Sequence, residues 1–330
     1  KQVFEAFQET CPDYIWIWPY DQGGCTCTGC APWGANGFLR LARPLADLAR
    51  ACFPGVKVVL STWYFDLFTN GEWEGLARDF QEHGADWVDY LMADFVGGDY
   101  PEWVLKHGVP GSLPLLGFPE ISMYGAVPWG GFGANPYPGV IEILWNKVRT
   151  LQAGGFPYSE GIFEDMNKAL CAQYYWDPDH RAEDILKEYI AYEFSPAVIE
   201  PVWQAIRLLE KSLPRRRVDE AGSYHDYPDP AHPWVGRQRF VIANPDGVEQ
   251  AWQLIEGAHA VLSERARASW RWRIVYLRAL IDRELVHNDF LVSPVCEAAF
   301  QELVDIYHAR QAGYAVSPPT WESIAAARGQ

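Results

Sequence analysis

Five acidic residues follow five short apolar runs in the first half of the sequence, each at or just beyond the end of its run. They are Asp21, Asp66, Asp94, Glu120 and Glu160. The runs have the length and the β-branched or aromatic content of strands, and helical patterns alternate with them, which predicts a parallel α/β sheet. Because parallel strands end at one edge of a sheet, and α/β enzymes bind ligands there, we expect these acids to converge on one pocket.

Aromatic residues flank the same strand ends. The predicted substrate-binding residues are Trp18, Trp63, Tyr64, Tyr124, Trp129, Tyr158 and the acid Glu160. Paired carboxylates beside aromatic rings suit glycosidic-bond cleavage, because one acid protonates the leaving oxygen while a second carboxylate activates water or attacks the anomeric carbon. The alternative for any single acid is a helix cap or a salt-bridge partner, which is the less favoured interpretation for all five together.

The predicted elements divide the chain into two parts. Strands are predicted over residues 14–21, 56–65, 87–95, 113–123 and 156–163. They belong to a first domain over 1–176, in which the last strand runs straight into a helix. From 177 to 330 the pattern is helical and predicts a C-terminal helical domain that could mediate a homodimer. The polar, Pro-rich stretch 219–238 is interpreted as a surface or cleft-lining loop.

Composition argues against several classes of partner. The formal charge of -16 at pH 7 repels phosphate backbones and anionic lipid, so neither a nucleic-acid partner nor a membrane partner is expected. Without a spanning apolar run or a basic-then-apolar leader, the chain is predicted to be soluble and untargeted. Motifs for zinc proteases, serine hydrolases, P-loop enzymes and dinucleotide enzymes do not occur, and no cofactor is predicted.

Three of the seven cysteines, Cys25, Cys27 and Cys30, form a C-x-C-x2-C loop shortly after Asp21. Zinc usually takes four ligands, and no fourth cysteine or histidine stands close in sequence, although His225 or His232 could complete a site. A metal site and a disulfide are therefore the weaker alternatives. Reduced thiols that pack the loop are the favoured interpretation.

The remaining four cysteines stand alone in apolar surroundings. They are Cys11, Cys52, Cys171 and Cys296. All four are predicted to be buried free thiols, which favours a reducing, cytoplasmic compartment.

Three stretches resemble the second half of a (β/α)8 glycoside hydrolase of the broad group that holds the α-glucuronidases and the β-N-acetylhexosaminidase-like enzymes. They are "LMADF" at the third strand, "GFPEISMYG" after the fourth, and "YYWDPDHRAEDILKEYIAYEFSP", where a W-N-P-like turn precedes an acidic amphipathic helix. The resemblance covers about residues 10–215. It implies a TIM-type barrel of which strands four to eight are present, followed by helices.

This resemblance implies that strands one to three are missing from the sequence. Either the chain is part of a longer enzyme or a partner chain completes the barrel. The first is favoured, because an open barrel edge exposes unpaired backbone groups.

The resemblance also implies catalytic roles. Inverting α-glucuronidases carry a general acid after strand four and base-side carboxylates after strands six and seven, which fall on Asp21, Asp94 and Glu120. The chain departs from the pattern at Asp21, which is shorter than the expected glutamate. It also has Gln22 where the hexosaminidases place the second acid of an Asp-Glu pair. The prediction is a glycoside hydrolase acting at an acidic or N-acetylated sugar.

Two other functions fit the same residues. The first is a non-catalytic carbohydrate-binding or scaffold protein on a degenerate barrel, whose aromatic rings still stack on sugars. The second is a metal-dependent barrel hydrolase, which the missing barrel-mouth histidines disfavour. The separation of the carboxylates discriminates, because glycosidases hold their paired acids roughly 5 to 10 Å apart.

Overall fold

The computed structural model describes residues 1–19, 24–95, 100–122, 133–159, 161–213, 215–218, 224–225, 239–242 and 244–307. The first part alternates strands and helices: α1 (Gln2–Ala6), β1 (Tyr14–Ile17), α2 (Gly37–Cys52), β2 (Lys57–Ser61), α3 (Glu72–His83), β3 (Tyr90–Phe95), α4 (Glu102–His107), β4 (Leu115–Pro119), α5 (Pro138–Val148), β5 (Gln152–Gly155) and α6 (Asp165–Trp176). The predicted α/β class is confirmed.

The five strands form one parallel sheet in the order β1-β2-β3-β4-β5. Each strand pairs with the next one along the chain, and a helix lies between successive strands in sequence. This is the arrangement of a TIM-type fold. Closure into a barrel and the numbering of these strands as four to eight stay predictions.

The fifth strand begins earlier than the sequence pattern predicts. The sequence pattern predicts a helix over residues 138–155, but α5 ends at Val148 and β5 starts at Gln152. Pairing with β4 then continues past the strand, because the backbone N–H of Phe156 donates to Gly117 O at 2.7 Å and that of Tyr158 to Pro119 O at 2.8 Å. A Cβ at Gly155 would lie 2.7 Å from Gly117 O, so this close approach requires glycine.

The sheet has two different faces. On one face Ile15 packs against Phe53 and Ala49 of the α2 region. On the other face alternate positions of the strands form a cluster around Met92 and Phe118. This alternation is the two-residue period of a strand, and the side chains of both faces are largely apolar.

Ring contacts show that the sheet is strongly curved. The ring centroid of Phe118 in β4 lies 5.4 Å from that of Trp16 in β1 and 5.2 Å from that of Trp18 just beyond it. In a flat sheet strands β1 and β4 would be three spacings apart, or about 14 Å. The aromatic face is therefore concave, as the inner face of a barrel arc would be.

The later elements are mostly helical: α7 (Ala182–Glu193), α8 (Ile199–Lys211), β6 (Arg215–Val218), β7 (Tyr224–His225), β8 (Arg239–Ile242), α9 (Val248–Val261), α10 (Glu264–Ala268), α11 (Trp270–His287) and α12 (Pro294–Tyr307). The expectation of helices alone is wrong here, because β6, β7 and β8 form a small antiparallel sheet in the order β7-β6-β8. Two of these strands border the predicted loop and β7 lies within it. No described helix is long and apolar enough to cross a membrane.

The chain forms two compact units. The first comprises Lys1–Glu120, Ile143–Tyr158 and Tyr175–Pro178, and the second Ile121–Glu142, Ser159–Tyr174 and Asp179–Gln330. The expected domain boundary at residue 176 stays a prediction.

A buried ion pair lies in the second unit. Arg278 and Asp282, one turn apart on α11, have fully buried side chains and are joined by an Nε–Oδ2 contact of 2.9 Å. The guanidinium also donates to Ala134 O at 2.9 Å, and the hydroxyl of Ser212 donates to the same Asp282 oxygen at 3.0 Å. The pair thus connects α11 with the loop before α5 and the end of α8.

Replacing Asp282 by asparagine should destabilise the protein strongly. It leaves the Arg278 guanidinium buried without its counter-charge, and breaking a buried pair in this way costs about 3–5 kcal/mol. Glu74→Gln is the matched control, because Glu74 forms an i,i+4 pair with Arg78 at 3.0 Å whose two side chains are mostly exposed. Urea unfolding followed by circular dichroism measures both, and equal midpoints for the two variants would contradict the assignment.

Candidate functional site

The structure describes two of the three predicted catalytic residues. Asp21 lies outside the described residues. Asp94 is in β3, two residues beyond Met92, and its backbone pairs in register with Phe118. Glu120 directly follows β4 and forms a parallel bridge with Tyr158. The structure therefore places Glu120 at the carboxyl edge of the sheet and the backbone of Asp94 near the end of the neighbouring strand.

Strand parity relates Glu120 to the concave face. Leu116 and Phe118 of β4 both belong to the cluster on that face, and position 120 is the next in the same two-residue series. Glu120 is half-buried. Its position is the one in which a carboxylate can meet a ligand held against the rings.

Three of the predicted substrate-binding aromatics gather around Phe118. Its ring centroid lies 5.2 Å from Trp18, 5.5 Å from Trp63 and 5.4 Å from Tyr158. All three are partly exposed while Phe118 is buried. Together they form a platform of aromatic ring surface at the edge where Glu120 lies.

Sequence reasoning missed two members of this cluster. Trp16 lies 5.0 Å from Phe156 and 5.0 Å from Trp18 between ring centroids, and 37% of Trp16 and 43% of Phe156 is exposed. The predicted strands over 14–21 and 156–163 contain these residues, but neither is among the predicted binding residues. The alternation of Trp16 with Ile17 is the sequence signal that places Trp16 on the same face as Trp18.

Tyr64 extends the platform in another direction. Its ring stacks on Trp63 at 4.3 Å, and it lines a cavity of about 540 Å³. The loops after β2 and β3 and helices α3 and α4 form this cavity, whose other lining residues are Phe65, Asp66, Leu67, Asn70, Trp73, Tyr100, Pro101, Glu102, Trp103, Lys106 and His107. A volume of this size suits a small ligand such as one or two sugar rings.

The remaining predicted binding residues, Tyr124, Trp129 and Glu160, lie outside the described residues. Hydrogen bonds from buried side chains hold the backbone of Ile121 and Ser122, which precede Tyr124 in the chain. In the second unit, Nδ2 of Asn167 donates to Ile121 O at 3.1 Å and to Asn135 O, and Nδ2 of Asn135 donates to Ser122 O at 2.7 Å. Both asparagines are fully buried. The two residues that follow Glu120 in the chain are thereby fixed.

Asp66 has a structural role. Its Oδ1 accepts the backbone N–H of Glu72 at 2.7 Å, and Oε2 of Glu72 accepts the backbone N–H of Asp66 at 2.9 Å. Glu72 is fully buried and also accepts from the backbone of Gly34 at 2.7 Å. This reciprocal arrangement resembles a capping box at the start of α3, so for Asp66 the helix-cap alternative describes the observed bonds.

The cysteine loop brings three sulfur atoms together. The Sγ atoms of Cys25, Cys27 and Cys30 all lie within 4.8 Å of one another. The pKa of the Cys27 thiol is lowered, chiefly by a hydrogen bond from Cys25, and the pKa of Cys30 is raised, chiefly by its hydrogen bond with Cys27.

All seven cysteines fall in the described part of the chain, and each is a free thiol. Cys171 and Cys296 are buried as expected, and burial raises the pKa of Cys171 to about 12. The prediction is wrong for Cys11, which is exposed at the end of a turn, and for Cys52, which is half-buried at the end of α2. Apolar neighbours in sequence do not ensure burial where the chain leaves a helix.

Comparison with known proteins identifies a fold. No protein-family model and no curated protein matches the chain. A solved structure, described as a family GH115 4-O-methyl-α-glucuronidase with specificity for decorated arabinogalactans, matches with a TM-score of 0.57 at 10% sequence identity. The match covers 94% of this chain and 45% of that one, so the chain spans about half the length of its structural neighbour. The fold is glycoside hydrolase-like.

Replacement of Asp66 should affect stability. Asp66→Ala removes the acceptor for the first N–H group of α3 and should lower the free energy of unfolding by about 1 kcal/mol, whereas Asp66→Asn keeps an oxygen acceptor and should lower it by less. Thermal or urea unfolding measures the difference. Equal stability of wild type and Asp66→Ala would show that the cap contributes nothing.

Proposed function

We propose that this protein is a glycoside hydrolase that cleaves a glycosidic bond with paired carboxylates. The observation that carries the proposal is the position of Glu120, at the carboxyl edge of a curved parallel sheet and in the strand series of Phe118, around which partly exposed aromatic rings gather. The glycoside hydrolase-like fold supports it. Enzymes with parallel α/β folds bind substrates at this edge.

The proposed mechanism divides the work among three acids. Asp21 donates a proton to the leaving oxygen, and Asp94 and Glu120 form the side that activates or positions water. The rings of Trp18, Trp63 and Tyr158 hold the sugar, with Glu160, Tyr124 and Trp129 as further binding residues. A separation of about 6.5–9.5 Å between acid and base would give inversion, and about 5–5.5 Å would give retention.

The proposed substrate carries an acidic or N-acetylated sugar. A uronic acid is favoured, because the structural neighbour is an α-glucuronidase. The rival is a carbohydrate-binding protein without catalysis, which would use the aromatic platform but not the acids. An experimental structure that placed Asp21, Asp94 and Glu120 more than about 12 Å apart would favour this rival.

Replacement of the proposed base-side acids should abolish most turnover. Glu120→Gln and Asp94→Asn keep side-chain size but remove the charge, and loss of a general acid or base lowers kcat about 10²- to 10⁴-fold. Release of 4-nitrophenol from the α-glucuronide and from the N-acetyl-β-glucosaminide measures kcat and identifies the sugar class.

The matched control is Glu74→Gln, an exposed acid of α3 that does not line the cavity, which should retain kcat. Wild-type kcat in both Glu120→Gln and Asp94→Asn would overturn the catalytic assignment. Circular dichroism of each variant shows whether a loss of activity comes from misfolding.

Tyr64 should contribute to sugar binding more than to turnover. Tyr64→Ala removes a partly exposed ring at the cavity, and loss of one stacking contact of about 1 kcal/mol should raise KM about fivefold with kcat nearly unchanged. Phe68→Ala is the control, because Phe68 is 54% exposed and contacts Tyr64 at 5.6 Å but does not line the cavity. If wild type binds oligosaccharide without cleaving it and Tyr64→Ala loses that binding, the non-catalytic function is correct.

A further inference from the structure

The loop between β1 and α2 holds a compact set of soft ligands that the proposed hydrolysis does not use. Cys25 and Cys27 are exposed, Cys30 is half-buried, and the three Sγ atoms lie within 4.8 Å of one another. A zinc–thiolate bond is about 2.3 Å long, so three thiolates around one ion have sulfur atoms about 3.8–4.0 Å apart. The observed spacing exceeds this by at most about 1 Å, which small side-chain rotations can remove.

The backbone between the sulfur ligands is already folded as a turn. The N–H groups of Cys30 and Ala31 both donate to Cys27 O at 2.9 Å. At the other end of the loop, Gly24 has φ +60°, and a Cβ there would meet the ring of Trp33 at 2.4 Å. Glycine therefore allows the loop to close onto Trp33, and little of the chain needs to be ordered when an ion binds.

Side chains from the start of α2 support the same turn. Nδ2 of Asn36 donates to Gly29 O at 3.2 Å and to Ala31 O at 3.4 Å, and the Arg40 guanidinium donates to Gly29 O. Arg40 Nη2 also lies 3.6 Å from Cys30 Sγ. Outer groups of this kind orient metal ligands.

We propose that Cys25, Cys27 and Cys30 bind one thiophilic divalent ion of the zinc type as thiolates, with solvent at the fourth position. Soft thiolate ligands select zinc over the hard cations magnesium and calcium. Binding displaces up to three thiol protons and changes no oxidation state: M²⁺ and three thiols give the tris-thiolate complex and the released protons. The formal charge of -16 favours accumulation of cations around the protein.

The ion would cross-link the loop between β1 and α2, which follows the carboxyl end of β1. The cluster begins four residues after Asp21 in the chain, so an ion bound there would lie close in sequence to the proposed general acid. This part of the inference rests on the proposed function, whereas the ion site itself does not.

Cadmium titration of the reduced protein tests the site. We expect a thiolate-to-cadmium charge-transfer absorption that saturates at one Cd²⁺ per chain, and displacement of Cd²⁺ by Zn²⁺ but not by Mg²⁺. Cys27→Ser should weaken binding at least about 100-fold, since loss of an outer-shell group alone already costs 10- to 100-fold. Arg40→Met should weaken it about tenfold.

Cys11→Ser is the matched control, because Cys11 is an exposed free thiol outside the loop, and it should bind Cd²⁺ as the wild type does. Two results would overturn the proposal. One is wild-type affinity in Cys27→Ser with circular dichroism unchanged. The other is five instead of seven titratable thiols in denaturant, for protein purified without reductant, with the missing pair in the loop. Hydrolysis by the same variants is measured separately. Absence of ion binding would leave the glycosidase proposal untouched, and absence of hydrolysis would leave the ion site untouched.

Discussion

The candidate site depends on the contact of Phe118 in β4 with Trp16 and Trp18 at β1. In a flat sheet these two strands would lie about 14 Å apart. Their rings meet at 5.2–5.4 Å because the sheet curves and brings the two strands closer together on this face. The bend has two consequences. It turns the carboxyl ends of the strands toward one another. It also leaves the outer rings of the cluster partly exposed, because large side chains on a concave face bury the ring at the centre first. Phe118 is the buried centre, and Trp18, Trp63 and Tyr158 are its accessible margin.

The opposite face keeps this curvature in place. Helix α2 buries Ala42, Ala46 and Ala49 along one stripe, and small residues let a helix approach a sheet closely. At the last strand Gly155 allows a close approach to β4, where a larger residue would collide with Gly117 O. The strand ends are thus positioned by packing on both faces, and Glu120 joins the sheet directly through its parallel bridge with Tyr158.

The sequence predicts the parts of this arrangement that arise from periodicity. Alternating strands and helices, the parallel sheet and the meeting of Trp18, Trp63 and Tyr158 all follow from patterns of two and 3.6 residues. The start of β5 does not, because Gln152–Gly155 contains no β-branched or aromatic residue and is a strand only through its pairing with Gly117 and its neighbours. The same holds for β6, β7 and β8, which lie in or beside a polar, proline-rich stretch. These strands form only because they pair with other strands, and a single sequence does not show which segment each one pairs with.

Strand-end acids that look equivalent in sequence differ once their backbone is known. Glu120 continues the two-residue series of β4, so it shares the face of Phe118. Asp66 lies five residues beyond the end of β2 with φ +62°, outside any strand series, and Glu72 uses it as a reciprocal partner at the start of α3. A carboxylate whose oxygen already accepts a helix N–H is poorly placed to exchange a proton with a substrate, because that bond holds the side chain against the backbone of the helix. The parity of an acid relative to its strand, more than its mere presence at the strand's end, therefore separates candidate catalytic carboxylates from capping ones.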